Sequence, residues 1–292
     1  MRERTNFQIA KRDIISVLKE YEGKILDIND ISEILNRNRR FWRLPGNLTK
    51  SDFVKLLTKT TKLKSYEFDF PRKKYTRFAW RRASLYELAL SLERDSYFTH
   101  YTALYWHNLT DQVPKTIYVN YEQAKKRYVS GGLIQENIDI ASRNPQRESK
   151  NIALVGDFRI CLVNGKYTDR LGVIEITTNE NEKIRLTDVE RTLIDIVVRP
   201  TYSGGIYEVL KAYRAAAKRV SINKLTAMLR KLNYIYPYHQ AIGFYLERAG
   251  VYKDSQIRLL KTFSFEYDFY LTHKMEKTEY SKEWRLYYPT GF

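Results

Sequence analysis

The chain has 292 residues, 43% of them hydrophobic and 29% charged, the balance of a globular protein long enough for two domains and a sizeable core. No run of 18 or more apolar residues is present and the opening MRERTNFQIAKRD holds no apolar signal core, so neither a membrane span nor a secretory leader is expected, and a cytoplasmic location is. The net charge of +17 points to a polyanionic partner, with nucleic acid first.

In chain order, Ile14, Ile15, Val17, Leu18 and Tyr21 recur at helical spacing and predict a first helix over 9–21 closed by Gly23. Asn29 or Asp30 caps a short second helix through Ile31, Ile34 and Leu35. The stretch NRNRRFWRLPGNL interrupts with Pro45-Gly46, and Thr49 or Ser51 opens a third helix whose apolar face is Phe53, Leu56 and Leu57. Alternation over 63–70 and 75–80, with Pro71-Arg72-Lys73-Lys74 between, predicts a hairpin whose turn lacks glycine.

The basic excess is concentrated here. Residues 1–82 hold 21 Lys and Arg against 10 Asp and Glu, and residues 37–82 alone hold 15 against 3. Three helices and a basic-tipped hairpin predict a winged helix-turn-helix DNA-binding domain over 1–82. On that reading Lys50, Lys55 and Lys59 ride the exposed side of the third helix. Arg72, Lys73 and Lys74 form the wing tip, and Arg37, Arg39, Arg40 and Arg43 precede the helix. Cations so placed neutralise phosphates and make binding salt-dependent. The connection before the third helix is longer than the short turn of a simple helix-turn-helix.

Residues 83–292 read as a larger mixed α/β domain, giving an α+β chain overall. Ser84 and Glu87 have capping-box spacing before a helix to about Leu92, and Thr99 caps an aromatic helix ending near Leu109. Short runs rich in Ile and Val at 116–120, 152–155, 158–163, 172–177 and 183–186 predict strands of one mixed or antiparallel sheet. Thr187 and Glu190 repeat the capping-box spacing. Val189, Leu193, Ile196 and Val197 then share a helix face, with Arg191 and Asp195 able to pair four apart. Arg199-Pro200 ends that helix, Ser203-Gly204-Gly205 turns the chain, and helices follow over 206–219, 223–232, 238–249 and 254–260. The tail over 263–271 and 284–289 predicts a terminal strand and a tied-down aromatic end.

Catalytic templates find few residues. His100, His107, His239 and His273 lack Cys or His partners at metal spacing, and no phosphate-binding glycine loop or Gly-x-Ser-x-Gly elbow occurs. Cys161, the single cysteine, lies in an apolar run and reads as a small buried hydrophobe. Asp157 and Glu175 could serve a metal-dependent nuclease, but Glu175-Ile176-Thr177 lacks the lysine that would help activate water, and exposed acids on a half-buried sheet are the better account. The 24 Tyr and 13 Phe read mainly as core, with Phe41-Trp42-Arg43 and Phe78-Ala79-Trp80-Arg81 open to base stacking. No enzyme activity, cofactor or metal is expected.

Three blocks then stand together: Ser84 to Leu92, Thr99 to Thr110, and Val189-Glu190-Arg191-Thr192-Leu193-Ile194-Asp195 with Arg199-Pro200 and Gly204-Gly205. With the closing Gln240 to Leu246 and Phe269-Tyr270-Leu271, residues 84–292 resemble the AbiEi family of type IV antitoxins. That resemblance implies an N-terminal winged helix repressing its own promoter at inverted repeats. It also implies a C-terminal domain that counters a nucleotidyltransferase-like toxin, without a stable complex. It assigns no antitoxic role to individual C-terminal residues. The alternatives are a transcription regulator with a sensory second domain and, last, a phage-defence nuclease.

Overall fold

The computed structural model describes residues 2–21, 24–80, 82–125 and 132–292. Among them are eleven α-helices and three β-sheets, an α+β architecture. The chain divides into two compact units, residues 1–94 with 153–155, and residues 95–152 with 156–292.

The first unit begins with α1 (Arg2–Lys19) and β1 (Ile25–Leu26). α1 starts earlier than the apolar periodicity predicted, and Gly23, expected to close it, lies outside the described residues. α2 (Ile28–Asn38) is capped by Asp27, two residues ahead of the expected cap: its carboxylate accepts from Asn29 and Asp30 N–H while Asp30 accepts from Asp27 N–H at 2.7 Å. α3 (Lys50–Thr60) is capped by the Thr49 hydroxyl. β2 (Lys64–Asp69) and β3 (Lys74–Ala79) pair antiparallel, and β1 adds to the other edge of β3, giving the order β1-β3-β2. The hairpin closes without glycine because Pro71 suits the first central position of an ordinary turn. Neither Pro71 nor Arg72 has positive φ, and Phe70 and Lys73 exchange N–H···O bonds. α4 (Leu85–Leu90) follows, with the Ser84–Glu87 box formed as expected.

The core of this unit gathers Phe7, Ile14 and Leu18 of α1, Ile31, Ile34 and Leu35 of α2, and Phe53 and Leu57 of α3. Trp42, only 2% exposed, stacks on Phe53 with ring centroids 5.9 Å apart, and Phe7 meets the same ring edge-on at 6.2 Å.

The second unit opens with β4 (Tyr97–Phe98), α5 (His100–Trp106) and β5 (Thr116–Glu122). α6 (Gln135–Arg143), which the apolar pattern did not predict, precedes β6 (Ile152–Val155), whose residues 153–155 belong to the first unit, and β7 (Phe158–Gly165). β8 (Val173–Thr177) and β9 (Lys183–Thr187) form a hairpin. Within the unit the order is β7-β5-β4-β9-β8, parallel at β5–β7 and β4–β9 and antiparallel at β4–β5 and β8–β9. The sheet is therefore mixed.

α7 (Val189–Val198) is the hub, packed against α5, β9 and three later helices, α8 (Ile206–Ala216), α9 (Ile222–Leu232) and α10 (Tyr238–Ala249). Every residue from Glu190 to Val197 is buried. Its cap is Asp188, not Thr187. Thr187 is the last residue of β9, paired with Val173, and its hydroxyl faces that of Thr192 at 2.8 Å, so the helix starts one residue later than the spacing predicted. Glu190, freed from the expected box, accepts from Ser221 N–H and the Lys224 ammonium and thereby holds the start of α9.

A 3-10 turn over Pro200–Ser203 and the left-handed Gly204, φ 80°, lead into α8. After α11 (Asp254–Ile257) a small sheet of β10 (Phe269–Tyr270), β11 (Thr278–Ser281) and β12 (Leu286–Pro289) closes the unit in the order β10-β12-β11. Two residues of α10 tie it down. The Gln240 amide nitrogen lies 2.9 to 3.1 Å from the Tyr267, Trp284 and Arg285 carbonyls, and Gly243 leaves room for the buried Trp284 ring.

Candidate nucleic-acid interface

The cations singled out in the sequence fall into three groups on the first unit. Lys55 and Lys59, four residues apart on α3, share its solvent face. Lys50 is exposed in the first turn, but five positions before Lys55 it sits roughly 140° round the helix at about 100° per residue. Asp52 lies on the Lys55 side, 3.9 Å from its ammonium, so α3 presents alternating charge there.

At the hairpin tip Arg72, Lys73 and Lys74 are all exposed. The Lys73 ammonium rests 4.1 Å from the Tyr75 ring centre and Lys74 lies 3.1 Å from the Asp69 carboxylate. The Lys74–Asp69 pair is at the surface, where an ion pair contributes on the order of 1 kcal/mol or less, so a phosphate can displace it at small cost.

The connection between α2 and α3 is ordered by its own residues. Arg39 turns inward: its guanidinium donates to the carbonyls of Pro45, Gly46 and Leu48, at 3.3 Å for Gly46 and 2.9 Å for Leu48. Its donors hold the loop, which sets it apart from the other arginines named. Trp42 anchors the loop in the core and the Asn6 side chain donates to the Arg43 carbonyl, while Arg43 takes positive φ, 53°. Arg40 and Arg43 project into solvent, and Arg37 pairs with Glu33 at 2.7 Å on the outside of α2.

Between Arg40 and Arg43 the Phe41 ring is 71% exposed, while its neighbour Trp42 and both Phe78 and Trp80 are core residues. Of the aromatics considered for stacking, Phe41 is thus the one the described structure leaves in solvent; Arg81 lies outside the described residues. Lys62 and Lys64, not singled out in the sequence, extend the exposed cations from α3 towards β2. Their place follows from the helix ending at Thr60, a boundary the apolar pattern did not fix.

The remaining candidates are accounted for by packing. His100 is buried and pushed by burial down to about 3, and His107, also lowered by burial, contacts the Thr187 carbonyl at 2.6 Å. Burial pushes the Cys161 thiol up to about 11, away from thiolate chemistry. Asp157 and Glu175 do not form a carboxylate pair. Asp157 precedes β7 and Glu175 lies on β8, four strand spacings away or roughly 19 Å at about 4.8 Å each, and Glu175 is paired with Lys183 at 3.3 Å. No group of three His, Cys, Asp or Glu able to hold a metal occurs among the described residues. None of the described helices is long and apolar enough to cross a membrane.

Arg191 and Asp195 do pair, at 2.8 Å and 6–7% side-chain exposure, and Arg191 also donates to Thr168 and the Leu171 carbonyl. Burial raises the Asp195 carboxyl against the pull of Arg191, and one carboxylate oxygen is buried with no partner.

No family model and no curated protein sequence matches this chain. Among solved structures it is similar to one described as the crystal structure of RV2827C protein from Mycobacterium tuberculosis, with a TM-score of 0.58 and 13% identity over 96% of this chain and 90% of that one. At that identity the likeness concerns the fold.

Proposed function

We propose that residues 1–82 form a winged-helix DNA-binding domain and that the chain represses its own promoter while acting as the antitoxin of a type IV toxin–antitoxin pair. One observation carries the DNA-binding part: three helices and an antiparallel hairpin expose cations at the two places such a fold offers to DNA, the third helix and the hairpin tip. Lys55 and Lys59 on α3 and Arg72, Lys73 and Lys74 on the hairpin supply phosphate contacts, and Arg40 and Arg43 extend the surface. The antitoxic part rests on the resemblance of residues 84–292 to AbiEi antitoxins. The functional partner on that reading is a nucleotidyltransferase-like toxin, countered without a stable complex.

The test is a mobility-shift titration of the full chain against its own upstream DNA and a scrambled duplex at two salt concentrations. Preferential binding upstream, with a salt slope that falls by about one unit for each phosphate contact removed in Lys55→Ala and Lys59→Ala, supports the reading. Equal binding to both duplexes would reduce it to nonspecific affinity of a basic protein. Growth rescue on co-expression with the neighbouring gene product tests the antitoxic part separately.

A further inference from the structure

The second unit contains an open aromatic cleft of about 530 Å³, between the end of α9, the start of α10 and residues 263–267. Its size is in the range of roughly 300–1,000 Å³ usual for small-molecule sites. The local sequence Asn-Tyr-Ile-Tyr-Pro-Tyr-His over 233–239 builds one wall. Asn233 ends α9 in the left-handed conformation, φ 43°, Pro237 caps α10, and Tyr234, Tyr236 and Tyr238 all line the cleft.

Phe263 lines it as well, held in a stack of flat groups. The Arg230 guanidinium lies 4.2 Å from its ring centre, and the His239 ring lies 4.9 Å away at 12°. Arg230 is fixed there by the Thr262 hydroxyl at 2.6 Å. His239 is 9% exposed, and its Nε2 is buried without a partner.

The charge around this wall is mostly positive. The Lys166 ammonium, bound to the Leu232 and Asn233 carbonyls, is 5.3 Å from the Tyr234 ring. Arg199 bears electrostatically on Tyr234 and Tyr238 and Arg230 on His239, while the paired Asp195 and Arg191 act on Tyr234 in opposite directions. Among the described residues, the one acid lining the cleft is Glu266, which accepts from Ser264 at 2.9 Å. Aromatic faces bind flat heterocycles through stacking, whatever the base, and guanidinium groups bind phosphate. A carboxylate can accept from the N–H edge of a base.

We propose that this cleft binds a nucleoside monophosphate, with its base on the tyrosine wall and its phosphate at Arg230. The site lies wholly in the second unit and does not depend on the DNA-binding reading of the first.

The experiment is isothermal titration of the full chain with AMP, GMP, CMP and UMP, with adenosine and inorganic phosphate as the separate parts. At least one nucleotide should bind more tightly than either part. Arg230→Gln should weaken nucleotide binding while leaving adenosine unchanged. Ile235→Asp, at a cleft residue 54% exposed, adds a negative charge without disturbing the core and should weaken the nucleotide about tenfold. Melting curves check that both variants fold.

The proposal is overturned if no nucleotide releases or absorbs heat at millimolar concentration, if phosphate alone binds as tightly as the nucleotide, or if both folded variants bind like the parent. A tetranucleotide binding more tightly than any monomer would also overturn it, because the occupant would then be a strand and not a free nucleotide.

Discussion

Helices α3 and α7 are of similar length and carry four and three charged residues, yet they place them oppositely. α3 turns Lys55 and Lys59 to solvent and keeps Phe53 and Leu57 for the core. α7 buries Glu190, Arg191 and Asp195 together with Leu193, Ile194 and Ile196. A charge in water adds little to stability but is free to meet a ligand. A buried charge must be matched inside the protein, and losing its partner is costly. The buried charges of α7 hold the chain together, and the exposed charges of α3 are available to a ligand.

Arg191→Met should break this pattern most severely. It leaves Asp195 buried and unmatched, and urea denaturation should show a loss of about 3–5 kcal/mol. A double replacement, Arg191→Met with Asp195→Leu, should recover most of that loss; if it does not, the pair does more than balance itself. Next is Gly243→Ala, whose new methyl would lie 1.9 Å from the buried Trp284 ring, with an expected cost of about 1–3 kcal/mol.

Acid comes third. The His100 imidazole is pushed to about 3 and His239 to about 4, from an ordinary value near 6.5, both chiefly by burial. The unfolded chain takes up these protons before the folded one does. The stability held by neutral His100 is therefore complete above about pH 6.5 and is lost as pH falls towards 3, at a limiting slope of about 1.4 kcal/mol per pH unit. Denaturation midpoints between pH 7 and 4 should fall accordingly, and His100→Gln should flatten the slope. Smallest for stability is Lys55→Ala with Lys59→Ala, expected within about 0.5 kcal/mol by the same measurement. The same pair is where DNA affinity should change, so a large loss of stability there would dissolve the contrast between the helices.

Much of the first unit was legible because its signals are local. Thr49 capped α3 where expected, and the alternation of 63–70 and 75–80 gave the hairpin even without a glycine turn. What could not be read locally was which arginine faces inward. Arg39 and Arg40 are adjacent, and only the path of the Pro45–Leu48 carbonyls makes one of them structural. Trp42 and Phe41 pose the same problem, one in the core and one in solvent.

In the second unit β4 has two residues and gives no periodicity, though it lies mid-sheet, and α6 was hidden because Ile134 and Ile140 are exposed and only Ile138 is a buried apolar residue. The cap of α7 was misplaced by one residue because Thr187 belongs to a strand. The aromatic cleft was not legible because its tyrosines read as core packing.

The inward turn of Arg39 also bears on how association would proceed. A long loop that is loose in the free protein loses conformational freedom on meeting its ligand, and affinity falls by the free energy of ordering it. Here three carbonyls, an indole anchor and a bond from Asn6 have already ordered the loop, so that entropy is lost during folding. A duplex meeting Arg40, Phe41 and Arg43 would find them in position, and encounter would proceed as rigid docking, its rate set by diffusion and ionic strength rather than by loop rearrangement.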